Sequence, residues 1–180
     1  MAKATPSTER DQAKKRSKST GDDTDAIALL KADHREVAGW FEEFEKARTG
    51  DRKQGLASKI CAALRVHMTI EEEIFYPAFV AATEDEDVHN EAQVEHDGAK
   101  YLIGKIEKAG PDDQLFDAQV KVLSEMIKHH VNEEEKRDGM FAKARQSDMD
   151  LEEIGQQLQA RKAELQGKKR PQLVDKLSRA

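Results

Sequence analysis

The chain holds one cysteine, four prolines and ten glycines in 180 residues, and aromatic side chains make up only 5% of it. A lone thiol, Cys61, closes no internal disulfide, so the fold is not a disulfide scaffold. Few prolines, glycines and aromatics argue against a turn-rich β architecture and for helices. No apolar run is long enough for a secretory signal or a membrane span, which leaves a cytoplasmic protein with no membrane partner as the simplest expectation. Also missing are a Gly-x-Ser-x-Gly elbow, a phosphate-cradling glycine loop and any evident base for Cys61. Hydrolase and transferase chemistry therefore have no visible machinery, and Cys61 reads as a small core residue.

What the chain does have is charge: 37% of its residues are Asp, Glu, Lys or Arg, with a net charge of −6. The distribution is uneven. Residues 1–20 carry 6 basic and 2 acidic side chains and residues 161–180 carry 7 and 2, so the segment between them holds 17 against 32. An acidic body with basic ends lacks the footprint of a specific nucleic-acid binder.

The apolar pattern predicts an all-α fold, an antiparallel up-down four-helix bundle over residues 25–146. A disordered basic arm, 1–24, precedes it; a C-terminal amphipathic helix, 147–167, and a flexible tail, 168–180, follow. The arm is polar and aperiodic, and cannot offset the entropy of ordering. Thr24 or Asp25 offers an N-cap, after which Ile27, Leu30, His34, Val37, Phe41 and Phe44 follow the three–four alternation of a buried helix face. Leu56, Ile60, Ala63, His67, Ile70, Ile74 and Ala78 form a second stripe, and Pro77 is expected to kink or end that helix. The acidic stretch Thr83–Asp87 reads as a loop. A third helix over 88–109 aligns Ala92, His96, Ala99, Ile103 and Ile106, and a fourth over 113–144 aligns Phe116, Val120, Leu123, Ile127, His130 and Glu134. Ser147 is the expected N-cap of a fifth helix with a narrow stripe, Leu151, Ile154, Leu158 and Leu165. That stripe docks on its own bundle or on a second copy, giving a monomer or a homodimer through the C-terminal helix.

Each of the four stripes is interrupted by a histidine: His34, His67, His96 and His130, at intervals of 33, 29 and 34 residues. Two of these carry a glutamate one helical turn later, Glu71 and Glu134, and residues i and i+4 share a face about 6 Å apart along the axis. His67 with Glu71 and His130 with Glu134 are thus two-toothed clips, and an antiparallel bundle brings all six side chains to one level. Burying two ionised glutamates with few lysines or arginines in the seams is costly, and a pair of cations removes the conflict. Imidazoles and carboxylates together suit two non-haem iron ions, with manganese second. The ferritin-like alternative wants Glu-x-x-His on two helices, and only Glu86-x-x-His89 fits, at a helix start. His129 lies about 100° of rotation from His130 and cannot share its direction, and His89, two turns or some 10 Å from His96, is a spare that joins the set only if the helix bends. Glu72, Glu73, Glu133 and Glu135 flank the clips as solvated residues or partners of imidazole N–H groups.

In these residues the chain resembles the hemerythrin/HHE cation-binding family. The matching pieces are Asp33-His34, HMTIEEEIFYP (67–77), EHD (95–97) and HHVNEEE (129–135), spread over about residues 25–145. The resemblance implies a four-helix bundle around a di-iron centre, with Glu71 and Glu134 as bridging carboxylates and His34, His67, His96 and His130 as ligands. Oxygen-carrying hemerythrins have a second histidine one turn after the first in the third helix; Lys100 stands here, and is expected to snorkel outward. One imidazole fewer leaves a more open iron. That suits a stand-alone protein that senses or reacts with a small diatomic ligand or peroxide (O2, peroxide or NO) better than an oxygen carrier. Its alternative is a metal-responsive interaction module or an iron-handling protein.

Overall fold

The computed structural model describes residues 25–167. The expected basic arm, 1–24, and tail, 168–180, lie outside the described residues. Helix α1 (Ala26–Lys46) begins on the Asp25 carboxylate, which accepts from the Ala28 N–H at 2.7 Å. Three residues later Thr49 caps α2 (Gly50–Ile70), so the two helices run antiparallel.

Past Ile70 the helix continues instead of stopping at Pro77. The backbone widens into a π-helical turn, Glu71–Phe75, and resumes as α3 (Tyr76–Thr83). The Tyr76 N–H reaches back five residues to the Glu71 carbonyl. A proline in a regular helix crowds the carbonyl four residues before it, and the wider turn relieves that conflict, so Pro77 sits in the first turn of α3, where its missing N–H costs little. The expected five-residue acidic loop shrinks to Glu84 and Asp85. Glu84 takes the left-handed conformation at φ 57°, and Asp85 accepts from Val88 N–H at 3.3 Å to start α4 (Glu86–Ile106), which ends with the last residue of the stripe and short of the expected 109.

The fourth helix is also two pieces, α5 (Phe116–Glu135) and α6 (Met140–Gln146), separated by a sharp turn. Gly139 permits the break: a Cβ there would lie 2.3 Å from the Glu133 carbonyl oxygen, so no larger side chain fits beside the end of α5. Helix α7 (Leu151–Leu165) is capped by Asp150, not Ser147; the Ser147 hydroxyl donates to the Ala144 carbonyl and closes α6.

Helices α1, α2, α4 and α5 form the bundle, and α7 lies across α1, α2 and the π-helical turn. Ile154 and Leu158 of α7 are buried with Ile27, Leu30, Phe75 and Phe141, so the C-terminal stripe docks on its own bundle. The core is divided in two. Val37, Phe41, Ile60, Leu64, Ala99, Ile103 and Leu123 belong to one apolar cluster; Ile27, Leu30, Ile70, Phe79, Ala92 and Met140 belong to the other. Along α1 the chain passes from one cluster to the other at His34, along α2 at His67 and along α4 at His96, while His130 lies between Leu123 and Met140. The histidines therefore mark a single polar layer between two apolar cores. Among the described residues no helix is long and apolar enough to cross a membrane.

Candidate metal centre

In that layer the six side chains singled out by spacing are all buried, Glu71 completely. They meet in two imidazole pairs. His34 Nε2 and His67 Nε2 are 2.9 Å apart, and His96 Nε2 and His130 Nε2 are 3.2 Å apart. Glu71 spans the pairs, with Oε1 3.2 Å from His67 Nε2 and Oε2 3.4 Å from His96 Nε2. Glu134 spans them from the opposite clip, with Oε2 3.4 Å from His34 Nε2 and 3.6 Å from His130 Nε2. Donor atoms of His34, His67 and Glu71 lie within 4.8 Å of one another, and so do those of Glu71, His96 and His130. Glu71 is common to both groups.

The outward nitrogen of each imidazole donates to a carboxylate. His34 Nδ1 donates to Glu135 at 2.8 Å, His67 Nδ1 to Asp33 at 3.4 Å, His96 Nδ1 to Glu72 at 2.8 Å and His130 Nδ1 to Glu95 at 2.8 Å. The pattern has approximate two-fold symmetry. The acid just before the histidine of α1 holds the histidine of α2, and the acid just before the histidine of α4 holds that of α5. The acid just after Glu71 holds His96, and the acid just after Glu134 holds His34. Each of these acids meets a further basic group: Lys31 on Glu135 at 2.7 Å, Lys100 on Glu72 at 2.6 Å, Lys162 on Asp33, and His129 on Glu95 at 3.2 Å. A proton fixed on Nδ1 leaves the Nε2 lone pair free to ligate, and all four Nε2 atoms face the interior.

This interior suits cations. Both Glu71 oxygens and Glu134 Oε2 have no hydrogen-bond donor, although imidazoles lie 3.2 to 3.6 Å from them. Among the described residues no lysine or arginine pairs with either glutamate. Without cations, protons take up the charge. Burial opposes charging His67, but Glu71 and Asp33 outweigh it and raise its pKa to about 10. Burial and then the repulsion of Glu71 raise Glu134 to about 8. Glu71 itself is held well below the ordinary carboxylate range, because His67 and His96 overcome the effect of burial. Burial lowers His34. A layer of imidazole nitrogens and undonated carboxylate oxygens is a donor set for borderline transition metals.

Tyr76 joins this layer, and the spacing gave no hint of it. Its side chain is fully buried; the hydroxyl donates to Glu134 Oε1 at 3.2 Å and lies 3.2 Å from His96 Nε2. Burial, Glu71 and Glu134 all hold its phenol well above the ordinary value. On a regular helix Tyr76 would point about 140° away from Glu71, and only the π-helical turn lets both face inward. Asp33 and Glu95 also act here, recognisable in sequence only as acids adjoining a histidine. Lys100 does not snorkel freely: its ammonium grips both Glu72 oxygens, at 2.6 and 2.7 Å, because that carboxylate also serves His96. Of the flanking acids, Glu73 binds Arg161 and Glu133 pairs with Lys136, so neither touches an imidazole of the layer. His129 is largely exposed, His89 packs edge-on to Tyr76 at 5.7 Å, and Cys61 is buried in the other apolar cluster, its thiol pushed up to about 12 by burial.

A family model described as the hemerythrin HHE cation binding domain matches residues 25–144. The chain is also similar to a solved structure, the crystal structure of a hemerythrin HHE cation binding domain-containing protein, the Rv2633c homolog from Mycobacterium kansasii. The two share 24% sequence identity and a TM-score of 0.67, over 79% of this chain and 88% of that one, a likeness of fold. No curated protein matches the chain in sequence.

Proposed function

The chain belongs to the hemerythrin HHE cation-binding family, and we propose that its polar layer binds two non-haem iron ions and senses or reacts with dioxygen, peroxide or nitric oxide. The observation that carries this reading is the sharing of both buried carboxylates between two imidazole pairs, with three of their four oxygens undonated. His34 and His67 would hold one cation, His96 and His130 the other, and Glu71 and Glu134 are placed where both pairs could share them.

An iron pair supplies redox chemistry toward small oxidants and nitric oxide. The protein's share is to hold and to seal. Asp33, Glu72, Glu95 and Glu135 fix each Nδ1 proton and so aim each Nε2 inward, which also raises the basicity of the rings. Phe141 stacks on His34 at 5.8 Å, and the two apolar clusters close the layer above and below. The six side chains would supply only a handful of donors to a pair of ions, which would leave room for a small ligand. Lys100, where a further imidazole stands in oxygen carriers, is committed to Glu72 and adds no donor.

The test is the optical spectrum of iron-loaded protein before and after azide, peroxide or nitric oxide. Ligand-dependent bands in the near-ultraviolet and visible are expected. A featureless spectrum that none of the three changes contradicts the proposal.

A further inference from the structure

The two halves of the centre are covered unequally. Over the seam between α1 and α2 lies α7: Lys162 pairs with Asp33, Arg161 binds Glu73 at 2.7 Å, and Leu158 is fully buried. The symmetry-related seam between α4 and α5 meets only the short helix α6, through Met140 and Lys143. It contains a cavity of about 160 Å³ whose walls include His130 and Glu134. Glu134 is 2% exposed, and its Oε2 lacks a hydrogen-bond donor. At about 30 Å³ per water the space suits a few waters or a hydrated ion, and is small for an organic substrate.

The wall is strongly acidic. Five carboxylates, Glu91, Glu95, Glu133, Glu134 and Asp138, face two ammonium groups, Lys136 and Lys143. Lys143 is turned to Asp85 at 2.6 Å, and Lys136 is paired with Glu133. Glu91 and Asp138 are exposed and act on the Lys136 ammonium only at longer range than its ion pair with Glu133. A concave acidic mouth focuses cations and repels anions. Another groove that reaches the layer, between α1 and α5, touches His34 but ends on Glu135, whose charge Lys31 already meets, and has Lys128 in its wall; a third space, against all four imidazoles, is only about 10 Å³ and has no acidic mouth. Neither offers an arriving cation much.

Resting on the assignment of the buried layer as a metal centre, we propose that the α4–α5 cavity is the path by which a hydrated divalent transition-metal cation reaches it. Glu91 and Asp138 draw the ion in, Lys136 guards the mouth, and Glu134 is the first carboxylate of the centre to receive it. The neighbouring turn before Gly139 is the break in the helical wall on this side.

Stopped-flow loading of the metal-free, full-length protein with cobalt(II) tests this, read by the visible bands of the bound ion. The double variant Glu91→Gln/Asp138→Asn is expected to load about tenfold more slowly, with a weaker dependence on ionic strength and an unchanged final stoichiometry. Lys136→Gln is expected to load faster. Ala92→Leu, which fills the cavity from α4, is expected to slow loading, whereas Ala38→Trp in the α1–α5 groove leaves the rate as it was. Should Ala92→Leu fail to fold, the surface variants decide. Native-like loading by Glu91→Gln/Asp138→Asn, or slowing by Ala38→Trp, overturns the route while the centre stands. A native protein that takes up no cobalt at equilibrium overturns both.

Discussion

Asp33 adjoins His34 in the chain, yet its carboxylate accepts from His67, 34 residues away, at 3.4 Å, and its other oxygen takes the ammonium of Lys162 from α7. Glu95 repeats the relationship: it adjoins His96 and holds His130 at 2.8 Å. Each pair of helices is thus cross-linked at the level of the centre by an acid from one and an imidazole from the other. Replacing either acid by its amide leaves its imidazole an uncharged, weaker acceptor for Nδ1–H. Asp33→Asn and Glu95→Gln are each expected to weaken metal affinity about ten- to a hundredfold, measured by competition with a chelator, while full occupancy is still reached at high metal.

Glu134 is the more strained of the two buried carboxylates, repelled by Glu71 and with one oxygen undonated. Glu134→Leu combined with Tyr76→Phe, which removes both ends of the Tyr76–Glu134 hydrogen bond, is expected to abolish binding of the metal pair and yet to stabilise the metal-free protein by about 1–3 kcal/mol in urea unfolding, because a buried carboxylate with an undonated oxygen is replaced by an apolar group and no partner is left orphaned. A metal-free variant less stable than native would show that Glu134 has a structural role the layer does not reveal.

The metal-free protein is expected to lose stability as pH rises. Glu134 has a folded pKa of about 8, above its ordinary 4.5, so its contribution is complete below pH 4.5 and is lost as pH rises through 8. His67 has a folded pKa of about 10 against 6.5; its contribution is complete below pH 6.5 and is lost as pH rises through 10. Both shifts act in the same direction. Below pH 6.5 the lowered pKa of His34 opposes them, so the melting temperature of the metal-free protein should fall between pH 7 and 9, and metal loading in that range should release protons into a weakly buffered solution.

Tyr76→Phe removes the hydroxyl that donates to Glu134 Oε1 and leaves all four carboxylate oxygens of the centre undonated. The ring itself still fits. The metal-free protein is expected to be destabilised by about 1–3 kcal/mol, and the metal-loaded protein by less, since a cation meets the same oxygen. Thermal melts with and without metal read the difference.

The bundle was legible in the sequence because its stripes keep the 3.6-residue period: Ile27 to Phe44 on α1 and Ala92 to Ile106 on α4 are buried as the spacing requires. The same period placed His34, His67, Glu71, His96, His130 and Glu134 in one interior layer. What escaped were departures from that period. Tyr76 enters the layer through a π-helical turn, and a regular helix would have directed it elsewhere; that turn is also how the helix passes Pro77. The break at Gly139 follows from its approach to the Glu133 carbonyl, a tertiary fact invisible in composition. Asp33 and Glu95 were hidden for another reason: each adjoins one histidine but serves the histidine of the neighbouring helix.

Anaerobic titration of the metal-free protein with ferrous iron, followed by removal of loose metal and elemental analysis, tests the central claim most directly. Two tightly held irons per chain are expected, falling below one in Glu71→Leu/Glu134→Leu. Native protein that retains fewer than one iron per chain, or a double variant that retains as much as native, would contradict the account.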